Sequence, residues 1–299
     1  MSLPIRHASQ QQELTCTTQL GAIRVSGEDC HKFMQGQLTC DIDQLQENQW
    51  VFGGHCDAQG KLWSVFRAAW MNGDLLLIQP LSSIDASLQQ LKKFAVFSKV
   101  DITDASQHLS FKLQLQPGKT SSTPSVKTEK QRLILNLTNA QLEVSEQPQK
   151  ADYGSEYWLA YEIEQGVPLI GPPLTTEFIP QMVNLDKLGG INFKKGCYIG
   201  QETIARMHYR GKNNRELRQL TGKSEQIPAT GVQLERAIGD SWRRAGAVLN
   251  AVRYDNGEIA LLAVLPVSIE NDATLRIKGE ENSTLTLCPP FDNQELSDE

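Results

Sequence analysis

Cys197 is the residue in this 299-residue chain best placed to do chemistry. It sits in KKGCYIGQE (194–202), with two lysines ahead of it and a Gln-Glu pair behind. Gln201 and Glu202 read as the first turn of a helix, which puts Cys197 just before an N-terminus. Exposed N–H groups and the helix dipole stabilise an anion there, and Lys194 and Lys195 add positive charge. Both effects favour thiolate, the nucleophilic form of cysteine. Gly196 and Gly200 would let the backbone turn sharply. The competing reading is a buried cysteine in a glycine turn. Residues 192–218 hold seven Lys/Arg against Glu202 and Glu216, a net of +5 in a chain of net −6. Arg206, Arg210, Lys212, Arg215 and Arg218 are candidates for a surface that docks an anionic partner, with a solvated face as the plain alternative.

The elements around this segment follow from periodicity. Residues 20–27 alternate as a strand, and Ser26 stands three residues before Asp29 in a capping-box-like spacing. Cys30, Phe33, Met34 and Leu38 then mark one helical face. Strand-like runs at 50–57, 61–71 and 74–79 follow, the last two joined by Asn72-Gly73, a strong hairpin signal. Ile84, Leu88 and Leu91 form a second helical stripe, capped by Ser82 or Ser83. Residues 116–131 hold one aliphatic side chain, Val126, and read as an exposed loop. A strand at 132–138 and a helix at 155–165 resume the pattern, and the four prolines of 166–180 break it. From Leu217 to Cys288 short β-rich runs alternate with turns, as in a small barrel or sandwich. The fold class is α+β, and helices end where the C-terminal strands begin.

Composition excludes several classes. The longest apolar run, 259–267, is nine residues and includes Pro266, against the roughly 20 needed to span a bilayer. The N-terminus carries no apolar core of a secretory signal. The expectation is therefore a cytoplasmic protein without a membrane partner. The six cysteines stand singly, at no zinc or iron–sulfur ligand spacing, so no resident metal is expected. His208 lies eleven residues from Cys197, with no local signature of a Cys–His hydrolase.

At these residues the chain resembles a known family. FKKGCYIGQE (193–202) is similar to the K-G-C-Y-x-G-Q-E signature of the YgfZ folate-binding, tRNA-modifying proteins, relatives of the glycine-cleavage T-protein, an aminomethyltransferase. VSGEDCHKFMQGQLTCD (25–41), HCDAQGKLWSVFR (55–67), LKKFAVFSKV (91–100), WLAYEIEQGVPLIG (158–171) and WRRAGAVLNAV (242–252) resemble further blocks of that family in order along the chain.

The resemblance implies two ferredoxin-like units (1–105 and 106–212), a C-terminal β-barrel (213–292) and an acidic tail (293–299), arranged as a cloverleaf around a folate channel. It implies tetrahydrofolate or a derivative as ligand. It also implies a role in tRNA thiomethylation and in maintenance of iron–sulfur enzymes, with tRNA or such an enzyme as partner. The family's cysteine falls on Cys197, within Lys195, Gly196, Tyr198, Gly200, Gln201 and Glu202, as a redox or transfer group. One folate-contacting tryptophan falls on Trp158; the other position holds Leu20, which packs on a ring without stacking. The T-protein's acidic pair falls on Ser64 and Val65, so the resemblance points away from aminomethyl transfer. The rival readings are a folate-dependent one-carbon transferase and a docking factor for RNA or protein with folate as a structural ligand. Asp57 reads as a turn residue, and Arg67, Lys92 and Lys93 as solvated cations that would at most steady an anionic folate tail.

Overall fold

The computed structural model describes residues 3–119 and 124–291. The chain opens with a one-turn helix α1 (Ala8–Gln11) and a short strand β1 (Leu14–Thr17). Next come β2 (Leu20–Ser26), α2 (Cys30–Gln35), β3 (Trp50–Cys56), β4 (Leu62–Met71), β5 (Asp74–Pro80), α3 (Ile84–Phe94) and β6 (Asp101–Asp104). These strands form one antiparallel sheet in the order β3-β4-β5-β2-β6. The β3-β4-β5 meander gives it one strand more than a four-stranded β-α-β-β-α-β unit. Asn72 and Gly73 both take positive φ at the β4–β5 turn, as a two-residue hairpin of this sequence requires.

Strand alternation splits the side chains of this sheet between two cores. Ile23, Val25, Leu75 and Leu77 pack with Phe33, Met34, Ile84 and Leu91 under the helices. Ala22, Leu76 and Ile78 face the opposite way, against a second sheet. That sheet has the order β1-β7-β10-β9-β8, from β7 (Ser110–Leu115), β8 (Ser125–Glu129), β9 (Arg132–Leu137) and β10 (Ala140–Ser145). β1 pairs antiparallel with β7, Leu14 opposite Leu115, so sheet pairing crosses the boundary expected at residue 105. β8 lies within the stretch expected to be a loop. It is an edge strand burying only Val126, which leaves little periodicity to read. Of that stretch, residues 120–123 lie outside the described residues, as does the acidic tail.

Helix α4 (Ser155–Glu164) joins the layers, with Trp158 and Tyr161 in the core between the sheets and Ala160 and Ile163 against the C-terminal domain. After α5 (Gln201–Tyr209) come β11 (Arg215–Lys223), β12 (Gln233–Ile238), β13 (Ser241–Arg253), β14 (Ile259–Pro266), β15 (Leu275–Ile277) and β16 (Thr284–Leu287). They close a barrel in the order β11-β14-β13-β12-β15-β16. Along β14, Ile259, Leu261, Ala263 and Leu265 fill the barrel, while Ala260, Leu262 and Val264 point outward and are also buried. Each such Leu or Val removed from water contributes about 1.5–3 kcal/mol. The outward set packs with Leu62, Val65, Leu185, Tyr198 and Ile204, so the barrel holds the cysteine segment against the first sheet.

The expected caps differ in detail. The N-cap of α2 is Asp29 rather than Ser26, and neither it nor Ser83, the N-cap of α3, makes a side-chain cap bond. The Asp29 carboxylate accepts the Lys99 N–H at 2.7 Å, and the Ser83 hydroxyl donates back to the Pro80 carbonyl at 2.7 Å.

Candidate functional site

The cysteine segment is fixed by bonds to residues 36–41. Asn192 organises it: its Oδ1 accepts the N–H groups of Lys194 (2.8 Å) and Lys195 (2.9 Å), and its own N–H donates to the Thr39 carbonyl at 2.9 Å. The Thr39 hydroxyl donates to the Gly190 carbonyl at 2.5 Å, and the Ile199 N–H reaches the Gly36 carbonyl at 3.1 Å. Lys195 is buried, and its ammonium donates to the carbonyls of Leu38 (2.9 Å) and Cys40 (2.6 Å). It also lies 5.2 Å from the centre of the buried Tyr198 ring. Burial lowers the pKa of this lysine, partly countered by Cys40, Asp41 and Asp43. The sequence reading of Lys195 as an activator of Cys197 is therefore corrected. Its ammonium is committed to the 38–40 backbone, where it acts as an anchor.

Cys197 itself is exposed, whereas Cys16, Cys30, Cys40 and Cys56 are buried and Cys288 is half-buried. Burial pushes the thiols of Cys16 and Cys40 up to about 12 and that of Cys30 to about 11. Accessibility thus singles out Cys197. Beside it, a Cβ on Gly196 would meet open space, so close packing does not require that glycine. Gly200 is different. It is the N-cap of α5 at φ 83°, and a Cβ there would lie 2.6 Å from the Asp57 carbonyl and 2.8 Å from Gly60 Cα. Asp57 shapes that facing turn, its carboxylate accepting the N–H groups of Gln59 (2.9 Å) and Lys61 (2.8 Å). It is a turn residue, as its sequence context suggests. Gln201 is half-buried and Glu202 exposed on the first turn of α5.

Arg206, Arg210 and Lys212 are exposed and Arg215 is half-buried; none has a side-chain partner among the described residues. Arg218 does not belong with them. Its guanidinium is buried, donating to Glu216 (3.2 Å), Asn271 (2.9 Å) and the Cys288 carbonyl (3.3 Å). β11 turns this side chain inward, where internal acceptors meet Nη1 and Nη2 and leave Nε unpaired.

A second locus lies between the first sheet and the segment after α4. Leu20, Phe52, Val65, Arg67, Gln79, Pro80 and Val167–Leu169 line a small recess. Arg67 is buried, not solvated as the sequence suggested. Its guanidinium makes a bidentate pair with the buried Glu162 at 3.0 and 2.8 Å, and it lies 5.0 Å from the centre of the Phe52 ring. Burial alone would lower its pKa; the Glu162 carboxylate more than reverses that and raises it. Trp158 is 2% exposed and donates its indole N–H to Glu162 at 2.9 Å. It therefore stands behind the Arg67–Glu162 pair and is not among the residues lining the recess, whereas Leu20 is.

Sequence reasoning missed Gln79. It is 1% exposed, and both its amide oxygen and nitrogen lack a hydrogen-bond partner, as does Nε of Arg67. The available signal was a lone amide in the apolar run DLLLIQP of β5. Buried polar groups are nearly always paired, and the three unpaired atoms sit on two residues that line one recess, which leaves hydrogen-bonding capacity there for a water or a polar ligand. Ser64 and Val65 put no carboxylate there. Val65 lines the recess, and the Ser64 hydroxyl faces Ser87 at 3.4 Å, which in turn lies 2.8 Å from Nδ1 of the buried His55.

The family model and the relatives by sequence point to one family. A family model described as the YgfZ β-barrel domain matches residues 213–280. The tRNA-modifying protein YgfZ of Aliivibrio fischeri is 37% identical over 86% of each chain. Its namesake in Vibrio atlanticus is 35% identical over 96% of this chain and 95% of its own. A third, from Yersinia pseudotuberculosis, is 36% identical over 89% and 88%. Among solved structures, the glycine cleavage system aminomethyltransferase T from Bartonella henselae superposes with a TM-score of 0.66 over 97% of this chain and 91% of that one. At 12% identity that likeness speaks for the fold alone. Identity above a third across nearly the whole length settles the kinship: this chain belongs to the family of the tRNA-modifying YgfZ proteins.

Proposed function

We propose that this protein is a folate-binding factor acting in tRNA modification. The observation that carries the folate assignment is the recess with its three orphaned polar atoms, on Gln79 and Arg67. A pterin ring offers alternating N–H donors and C=O or ring-nitrogen acceptors along one edge, which suits a primary amide that has both groups to spare. Leu20, Val65 and Pro80 supply apolar faces for a flat ring. The closed space between these residues is about 10 Å³, room for about one water molecule and far below the roughly 300–1,000 Å³ of pockets that enclose a whole ligand. In this proposal the ring of tetrahydrofolate or a derivative meets the recess along its polar edge and is not enclosed by it, and the anionic tail lies farther out.

Kinship to proteins named as tRNA-modifying supports the RNA side, with thiomethylation and the upkeep of iron–sulfur tRNA-modifying enzymes as the cellular role. Arg206, Arg210, Lys212 and Arg215 are the cations left to face an anionic partner. Cys197, accessible and on a braced segment, is the redox or transfer group. Ser64 and Val65 weigh against a folate-dependent aminomethyltransferase, since neither can move a proton at a folate nitrogen. The described residues include no helix long and apolar enough to cross a membrane, in keeping with cytoplasmic work.

Calorimetric titration of purified protein with 5-formyltetrahydrofolate tests the ligand, and absence of a binding isotherm rejects it. Nucleoside analysis of tRNA from a host lacking the protein tests the role. Methylthio-modified nucleosides should fall and return with the parent gene, but not with Cys197→Ser.

A further inference from the structure

The turn after α3 shows its most apolar side chains to solvent. Phe94 is 48% exposed, Val96 72% and Phe97 101%. The Ser98 N–H donates to the Ala95 carbonyl at 2.8 Å, which closes a β-turn with Val96 and Phe97 at its two central positions. Turn centres ordinarily carry Gly, Pro, Asn or Asp. Here a β-branched and an aromatic residue stand largely uncovered among the described residues.

The turn is rigid at both ends. Before it, the Ala95 N–H caps α3 through the carbonyls of Leu91 and Lys92. After it, Lys99 exchanges bonds with Asp29, its N–H reaching the carboxylate at 2.7 Å and its carbonyl accepting the Asp29 N–H at 3.3 Å. Gly27 leaves no slack below, because a Cβ there would lie 2.3 Å from the Lys99 carbonyl. The apolar side chains are thus displayed by a fixed backbone, which lowers the ordering cost of a contact.

Within the turn segment itself the charge has one sign, and the nearby carboxylates of Glu28 and Asp29 are both engaged by Lys99. KKFAVFSK (92–99) holds three lysines and no carboxylate. Lys99 is paired with Glu28 at 2.8 Å, while Lys92 and Lys93 are exposed, and the Lys93 ammonium lies 5.9 Å from the centre of the Phe94 ring. Aromatic rings beside free cations are the elements that hold unpaired bases in RNA, the ring stacking and the cation meeting the phosphate. An aliphatic side chain at the same tip can act as a wedge between bases.

We propose that the Phe94–Lys99 turn is a second RNA contact, in which Phe97 stacks on an unpaired base and Lys92 and Lys93 take flanking phosphates. This rests on the tRNA reading above and adds a base-stacking element to the phosphate-facing cations of residues 206–215. The test is fluorescence anisotropy of a labelled, unmodified tRNA transcript with the full chain between 50 and 200 mM salt. A fully paired RNA duplex and phosphatidylglycerol vesicles serve as controls. Phe97→Ala should weaken tRNA binding about 5- to 150-fold, the range of base–aromatic stacking, and leave the salt slope and the melting temperature unchanged. Phe97→Trp should restore the affinity. Lys92→Glu with Lys93→Glu should lower the salt slope by about 1.4–1.8, the release expected for two phosphates. Parent and Phe97→Ala binding tRNA within twofold of each other overturns the proposal while leaving the tRNA reading intact. An equal loss on the paired duplex, or a loss confined to vesicles, also overturns it. A parent that binds no tRNA takes both readings down together.

Discussion

Gln79→Met separates the stability of the recess from its use. Methionine keeps the unbranched shape of the side chain and removes both orphaned amide groups. A buried, unmet donor or acceptor costs about 1–3 kcal/mol. The recess is open enough for water to relieve part of that, so the variant should be more stable than the parent by about 1–2 kcal/mol. Binding should move the other way. Two neutral hydrogen bonds at roughly 0.5–1.5 kcal/mol each amount to about 1–3 kcal/mol, a 5- to 150-fold loss of affinity for 5-formyltetrahydrofolate. Gaining stability while losing ligand is the signature of a site kept unsatisfied for function. Denaturant midpoints at constant m-value read the first effect and calorimetry the second. A variant less stable than the parent would show that the amide is satisfied in the folded protein. Unchanged folate affinity would show that the ligand does not use it. Either result refutes the reasoning.

Other predictions follow from the same geometry. Burial lowers the pKa of His55 to about 3, so the unfolded chain takes up a proton below about 6.5 that the folded protein refuses. Its stability contribution is therefore complete above pH 6.5 and is lost as pH falls toward 3, reaching about 2 kcal/mol lost at pH 5. Urea melts at pH 7.5 and 5 should show that extra loss in the parent and not in His55→Gln; parallel profiles would count against it. Gly200→Ala should destabilise by about 2–3 kcal/mol, from left-handed strain and contact with the Asp57–Gly60 turn, and a melting temperature equal to the parent's would contradict this. Lys195→Met should cost about 2–4 kcal/mol by removing two charge-assisted bonds, and hydrogen exchange should rise first in residues 36–41. Native alkylation with iodoacetamide should label Cys197 before any other cysteine, and Cys197→Ser should leave stability within about 0.5 kcal/mol, as exposed substitutions do.

Local signals carried much of the fold. The β3-β4-β5 meander and its Asn-Gly turn, the α3 stripe and α4 lie within a residue or so of their expected bounds, because each is written in neighbouring side chains, whereas α2 ends at Gln35, short of Leu38, which bridges to His55 instead. Strand β11 escaped notice since Arg215, Glu216 and Arg218 interrupt its alternation, and only pairing with β14 reveals it. The cysteine segment stood out by composition, but the direction of Lys195 did not, because its acceptors at Leu38 and Cys40 lie more than 150 residues away. Arg67 reads as a surface cation until Glu162, 95 residues on, is brought against it. Resemblance alone offers Trp158 as a ligand contact; in the structure its ring is buried in the core and its indole N–H bonds Glu162. Partners distant in sequence leave no mark on a residue's own neighbourhood.

The pairing of β1 with β7 has a consequence for how the protein is made. Leu14 and its neighbours leave the ribosome about a hundred residues before the strand that receives them. At about 5–20 residues per second, β1 waits some 5–20 s with its backbone groups unclaimed, whereas β2, two residues further on, meets its partner β5 after about 60 residues, some 3–12 s. The nascent first sheet thus trails a sticky leader, a natural client for a holding chaperone. Later, when β7 emerges, the leader becomes the edge strand of the second sheet. Cutting the chain near residue 105 would strand β1 on the wrong fragment. Co-expressed halves should therefore reassemble when the cut follows residue 18 and should aggregate when it follows residue 105.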